Sequence, residues 1–341
     1  VTRHARRPVW RASLRCGIGH GGGAHRRRLE NPGVQAMAAA TDAEAQPTEA
    51  DGGPMPKARV ASPPMKDLPP THPVTVQGRK SALTFNVADV PAGEVYFCLG
   101  VRKSGSTLLN RIVQPLARRN GINVVNLPAT FFMHGLDVDD WAGADLRDVV
   151  LPGNIYVGFR SFPANIAGYP RFEMARKVFM FRDPRDALVS QYFSDAYSHV
   201  VPAGDTEASR QHAAMFEKRR EEARATPIDD YVIKRARSMD QTLSAFGALL
   251  GDPRCLVLRY EDYVFQKPRL IHKVLRHFDW TCPPGAIEAL LKQVDEVPET
   301  EDPQRFVRRV IPGDHRKKLS PQAINKLNRL LAESLRMFDY Y

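Results

Sequence analysis

From Val74 onward the apolar residues fall into two kinds of run. Val95–Leu99, Asn123–Leu127, Ile155–Phe159, Lys177–Phe181 and Cys255–Arg259 are short and largely unbroken, and polar or Gly-containing segments bound them. Runs of that length without alternation predict strands covered on both faces. The second kind recurs at three- and four-residue spacing. Thr107–Arg119 sets Leu108, Leu109, Ile112, Val113 and Leu116 on one helical face, with Pro115 late enough to bend it. The run from Asp183 through Tyr197, residues 228–250, Pro268–Phe278, Ile287–Val294 and Pro321–Phe338 are read as helices in the same way. Strands alternating with helices predict one α/β domain, a central parallel sheet with helices on both faces.

Residues 1–72 lack such a pattern. They combine arginines, the Gly21–Gly23 run, an Ala-rich acidic stretch and Pro63, Pro64, Pro69, Pro70 and, just beyond, Pro73. Too little apolar surface is present to offset the entropy of ordering, so a disordered extension is expected before a domain over 73–341. The Arg-rich, acid-free start has the composition of a transit peptide. The competing expectation is that translation begins at Met37 or Met55.

Composition narrows the function classes. The net charge of +11 is uneven: eight arginines and no acid lie between Val1 and Arg28. The remainder is mildly basic, which suits a polyanionic small molecule and does not demand nucleic acid. No stretch reaches the length of a membrane span. Cys16, Cys98, Cys255 and Cys282 show no CxxC pairing, so neither a zinc site nor a disulfide framework is expected, and a reducing, cytoplasmic setting is.

Two segments carry candidate chemistry. The Val95–Leu99 strand runs into Gly100-Val-Arg-Lys-Ser-Gly-Ser-Thr107 and then a helix, the P-loop NTPase-like arrangement that points N–H groups and a positive helix end at phosphate. It nearly fits GxxxxGK[ST], but Ser106 holds the lysine position and the lysine stands earlier, at Lys103. In Val178-Phe-Met-Phe-Arg-Asp-Pro-Arg-Asp-Ala-Leu-Val-Ser190, a strand ends in Arg182 and a Pro-initiated helix follows. Arg182 offers a planar fork of donors and Ser190 a hydroxyl eight residues on.

The pair of motifs, in this order, resembles the PAPS-dependent sulfotransferase family, whose donor is 3'-phosphoadenosine 5'-phosphosulfate. Lys-Ser-Gly-Ser-Thr is similar to the family's 5'-phosphosulfate loop, and Arg182 with Ser190 to its 3'-phosphate site. Val257-Leu-Arg-Tyr-Glu-Asp262 resembles the family's late strand, and Arg308-Arg309-Val-Ile-Pro-Gly-Asp-His-Arg-Lys318 its C-terminal basic loop, expected to be mobile without ligand. The resemblance covers roughly residues 93–338. It implies PAPS as co-substrate without a metal. It also implies nucleotide contacts from Arg102, Lys103, Ser104, Gly105, Ser106, Thr107, Arg182, Ser190, Tyr260, Arg308 and Arg309. In-line transfer to a hydroxyl or amine would follow, with Lys103 and the N–H groups of Ser104–Thr107 on the leaving phosphosulfate.

One departure stands out. The family's base histidine sits in a Thr-His-x-Pro stretch; here Phe159-Arg-Ser-Phe-Pro163 puts Ser161 in that slot. His134, in a loop after the Asn123–Leu127 strand, is the replacement candidate at the ligand end of the sheet, with Asp137, Asp139, Asp140, Asp195 and His199 behind it. The acceptor, a small molecule or a glycan, is not named by any motif. Its pocket is expected from loops 128–148 and 195–226, with Phe131, Phe132, Trp141, Tyr192, Phe193 and Tyr197 as walls. A P-loop kinase using Mg-ATP, or a non-catalytic nucleotide- or glycan-binding protein, is the alternative.

Overall fold

A computed structural model of the chain describes residues 65–77, 82–134, 145–199 and 207–341. The expected extension up to residue 64, and Asp137, Asp139, Asp140 and Trp141, lie outside them.

Five parallel strands form the central sheet: β3 (Val95–Gly100), β4 (Asn123–Val125), β5 (Asn154–Tyr156), β6 (Arg176–Phe181) and β7 (Cys255–Arg259), in the order β4-β5-β3-β6-β7. Their continuous apolar character follows from coverage on both sides. In β3, Val95, Phe97 and Leu99 enter one core cluster while Tyr96 and Cys98 enter the other; in β6, Phe179 and Phe181 face the first and Val178 and Met180 the second. Helix α1 (Ser106–Arg119) lays Leu109, Ile112, Val113 and Leu116 on the second face and continues through Pro115, whose side chain is exposed. On the first face, Phe179 stacks on Phe246 with centroids 4.4 Å apart. Full burial of such a side chain contributes about 1.5–3 kcal/mol. The α/β fold with a parallel sheet flanked by helices is therefore as the pattern predicts.

Before the sheet stands an antiparallel pair, β1 (Thr71–Gln77) with β2 (Ala82–Ala88). In β2, Leu83, Phe85 and Val87 are buried and alternate with exposed Ala82, Thr84 and Asn86. Asn154 ties this pair to β5: its amide donates to the Ala88 carbonyl at 2.8 Å and its oxygen accepts from Ala88 N–H at 2.9 Å. Hydrogen-bonded chain thus reaches a little ahead of residue 73, since β1 starts at Thr71 and Lys66 bridges to Asn120.

The segments read as loops contain helices. Leu127–Met133 forms α2, capped by Asn126, whose side chain accepts from Ala129 N–H at 3.0 Å. The strand expected over 155–159 ends at Tyr156 because the chain turns at Gly158, φ 91°. A Cβ there would lie 2.0 Å from the Asn126 Oδ1 that caps α2, so only glycine fits. Pro184–Phe193 forms α3, then Ser194–Ser198 a π-turn; Glu207–Ala225 is α4 and Ile228–Ser244 is α5. The expected helix over 321–338 is divided at Leu331. Among the described residues no helix is long and apolar enough to cross a membrane.

Candidate active site

The C-terminal ends of β3, β6 and β7 lie side by side, at the edge where crevices form in parallel sheets. A cavity of about 490 Å³ opens there.

One end is built by the turn after β3. Lys103 adopts φ 65° and Gly105 φ 84°, which bends the chain into α1. Ser104 holds this bend. Its buried Oγ accepts from Val101 N–H at 3.1 Å and lies 2.6 and 3.0 Å from the Val101 and Met180 carbonyl oxygens, while its own N–H donates to the Val101 carbonyl at 3.2 Å. Ser104 therefore does not face the cavity, in contrast to the expectation: its donors are used up in shaping the turn. The N–H groups of Gly105, Ser106, Thr107 and Leu108 do remain without a hydrogen bond among the described residues, and no side chain caps α1. Around them stand Arg102, Lys103 and Arg160, none ion-paired among the described residues; Arg160 donates only to the Phe159 carbonyl (3.2 Å) and to Thr107 Oγ1 (3.4 Å). Burial, with Arg102, Arg182 and Arg160 adding to it against Asp195, lowers the Lys103 ammonium to about 8. A phosphate would meet four free donors and three unneutralised cations.

Arg182 lies at the end of β6, buried, with its guanidinium 4.6 Å from the Tyr260 ring and 3.4 Å from Asp186, and with Nε lacking a partner. Tyr260, just after β7, also closes on Gly105: a Cβ at Gly105 would come within 2.5 Å of its ring. Asp183 caps α3 by accepting from Arg185 N–H at 2.9 Å. Ser190 lines the cavity one turn before the end of α3.

The C-terminal basic loop completes this end. Asp186 accepts from Gly313 N–H (2.7 Å), His315 N–H (2.9 Å) and His315 Nδ1 (2.6 Å), which anchors the loop to α3. Arg308 pairs with Glu301 and Asp314 and sets its guanidinium 4.1 Å over Phe193; Arg309 reaches Glu301 at 3.4 Å and Asp314 at 3.5 Å. Both line the cavity, yet each already faces carboxylates of the same loop region. Asp186, Glu301 and Asp314 thus tie this loop to α3 and to itself.

The other end is apolar. Phe131, Phe132, Phe159, Phe193, Met215 and Phe216 line it. His134 is not among them. It caps α2 on the outside, exposed, with Nδ1 2.8 Å from the Thr130 carbonyl oxygen, so the structure does not bring this predicted residue to the cavity. Ser161 and His199 do line it. Burial lowers the His199 imidazole to about 4, with Arg102, Lys103 and Arg220 pushing the same way and Asp195 opposing them. Of the expected walls, Tyr192 and Tyr197 lie off the cavity. Phe159, Arg160, Met215 and Phe216 were not anticipated, although the first two sit inside the quoted Phe159–Pro163 stretch.

No protein-family model and no curated protein matches the chain. Among solved structures it is similar to mouse sulfotransferase SULT7A1 complexed with PAP, at TM-score 0.48 and 13% identity over 74% of this chain and 87% of that one. It is also similar to retinol dehydratase in a complex with retinol and PAP, at TM-score 0.40 and 15% identity over 78% of this chain and 91% of that one. A third is the sulfotransferase domain of the Synechococcus PCC 7002 olefin synthase, at TM-score 0.30 and 14% identity over 74% of this chain and 95% of that one.

Proposed function

We propose that this protein transfers a sulfuryl group from PAPS to a hydroxyl or amine of a small, largely apolar acceptor. The carrying observation is the turn after β3: N–H groups of Gly105–Leu108 without a partner among the described residues, beside Arg102, Lys103 and Arg160 that form no ion pair among them, with the Arg182 guanidinium on the neighbouring strand. Two separate cationic stations fit a ligand with two phosphate-type groups. The 5'-phosphosulfate would lie on the loop, where Lys103 meets the charge that develops on the bridging oxygen as the bond to sulfur breaks. The 3'-phosphate would lie between Arg182 and Ser190, roofed by Arg308 and Arg309. The acceptor would enter among the aromatic side chains. A fixed donor set of this kind needs no reorganisation during transfer, which is what makes it effective.

The test compares ligands. PAP, the desulfated product, raises the melting temperature of the protein without added metal, by mass action on the native state, and does so far more than ATP. Equal stabilisation by Mg-ATP overturns the reading. Transfer of labelled sulfate from PAPS to a panel of phenols and alcohols then tests catalysis itself.

A further inference from the structure

We infer that the His199 imidazole is the general base that takes the acceptor's proton; the inference rests on the sulfotransferase reading above. Among the described residues lining the cavity, Asp195, Glu296 and His199 carry the carboxylates and the imidazole able to act as a base at neutral pH. Asp195 is engaged, accepting from the Tyr231 hydroxyl at 2.5 Å and facing Arg235 at 3.7 Å. Glu296 lies between Arg111 (3.7 Å) and Arg305 (3.8 Å). His199 is half-buried, and neither ring nitrogen is hydrogen-bonded within the described protein. Elsewhere, His134 holds Thr130 through Nδ1, His277 holds Arg254 through Nε2 and His315 holds Asp186 through Nδ1, and among the described residues no histidine but His199 lines the cavity.

The local structure explains why this ring is presented. After α3 the helix widens into the π-turn Ser194–Ser198, a feature common at functional sites. His199 closes it, donating its N–H to the Ser194 carbonyl at 2.8 Å. Its own carbonyl accepts from Arg220 at 2.7 Å, and its ring stacks on Phe216, centroids 4.8 Å apart and planes 19° apart. Backbone and ring are thus both fixed by α4, at the aromatic end of the cavity. The charged groups acting on the ring are Arg102 and Lys103 from the phosphate loop, Asp195 from the π-turn and Arg220 from α4. Burial first, and the three cations among these four, keep the ring in the neutral form that has a lone pair to offer, and the anionic donor on the loop would offset those cations as the proton arrives.

In the step assigned to it, the acceptor oxygen forms a bond to sulfur while the bond from sulfur to the phosphate bridging oxygen breaks. The electron pair of the broken bond leaves on the 5'-phosphate of PAP. The acceptor's proton moves to a His199 ring nitrogen and then to water. Ser161, at the position where the resemblance expects a histidine, lines the same cavity but is too weak a base for this.

Single-turnover transfer from saturating PAPS, measured over acceptors of graded acidity, tests the assignment. His199→Gln and His199→Asn slow transfer to an aliphatic alcohol about a hundred- to ten-thousandfold, the usual range for a lost general base. They slow transfer far less to an acidic phenol already ionised at the working pH, and leave the PAP-induced rise in melting temperature intact. Imidazole in the buffer restores part of the rate to His199→Gly and none to Lys103→Ala. His134→Ala transfers at the parent rate. Loss that is equal for all acceptors and is not rescued by imidazole overturns the assignment, as does a parent rate in His199→Gln. Loss in Asp195→Asn with His199→Gln active hands the role to Asp195. A parent protein that binds PAP no better than ATP and transfers nothing overturns the sulfotransferase reading itself.

Discussion

The two ends of the cavity are made by different means. The end proposed for phosphate is formed by the turn after β3, by Arg182 at the end of β6 and by Tyr260 after β7, all on neighbouring parallel strands. Arg182 there is buried and Lys103 and Arg160 are half-buried, while Arg102 is exposed, and the turn that carries Arg102 and Lys103 is set by hydrogen bonds such as those of Ser104. The end proposed for the acceptor is formed by α2, the π-turn and α4, elements outside the sheet, through ring contacts such as Phe132 on Phe216 at 5.8 Å. A charge placed on a sheet edge can be held to a fraction of an ångström. A wall of rings on separate helices adapts its shape instead. The first suits a ligand with one obligatory geometry, the second an acceptor chosen by size and apolarity.

If this division is sound, changes at one end should leave the other untouched. The largest effect is expected at Lys103. Lys103→Ala slows single-turnover transfer about a hundred- to thousandfold, the cost of one lost transition-state donor, while much of the PAP-induced stabilisation survives. A normal rate with lost affinity would move Lys103 from chemistry to binding. Next is Arg182→Ala, expected to weaken PAP and PAPS alike by about thirtyfold or more, in keeping with roughly 2–5 kcal/mol for removing one member of a buried charge pair. Titration calorimetry reads it, and an unchanged acceptor KM is the control for the other end.

A pH experiment sharpens the contrast. Free Lys103 titrates near 8, below the ordinary lysine range, chiefly through burial. Between about 8 and the ordinary value the folded protein therefore holds fewer protons than the unfolded chain, and this group alone makes stability rise with pH there. An anion on the loop favours the charged form, so PAP binding takes up a proton above pH 8 and weakens as pH rises, by at most about tenfold per unit for one group. Calorimetry in buffers of different ionisation enthalpy measures the uptake; none at pH 9 would show that the ammonium does not face the ligand. At the acceptor end Phe216→Ala should raise acceptor KM severalfold, consistent with roughly 1 kcal/mol for a lost aromatic contact, without altering PAP affinity. A change in PAP affinity would show that the two ends are coupled.

The same division explains what could be read from the amino-acid order. The end proposed for phosphate lies in two contiguous stretches, Gly100–Thr107 and Val178–Ser190, each a strand, a turn and a helix start, and that local structure is legible in the sequence. So are the five strands, because residues covered on both faces leave runs without alternation. β2 carries a weaker signal, Leu83, Phe85 and Val87 alternating with Thr84 and Asn86 over a single short run. The end proposed for the acceptor depends on α4, whose apolar residues are mostly small alanines beside Met215 and Phe216, with Ala223 its buried one among the described residues, so no broad apolar stripe marks a helix. The order of residues ranks His134 ahead of His199 because it reads as part of a loop at the ligand end of the sheet. Asn126 and Pro128 in fact start a helix there and carry His134 to its far end. The basic loop's arginines are expected to contact the nucleotide, and their pairing with Glu301 and Asp314, seven and six residues from Arg308, is made by folding alone and leaves no mark in the sequence.

The left-handed backbone at Lys103 has a last consequence. An L-residue with a Cβ gives up roughly 1–2 kcal/mol in that region, and glycine gives up nothing there, against about 0.5–1 kcal/mol for its greater freedom when unfolded. Lys103→Gly should therefore melt at the parent temperature or a few degrees above it, while transferring sulfate no better than Lys103→Ala. A screen that rewards thermal resistance would drift toward that glycine, and one that rewards turnover would hold the lysine. This single position would record which of the two pressures had acted on the protein.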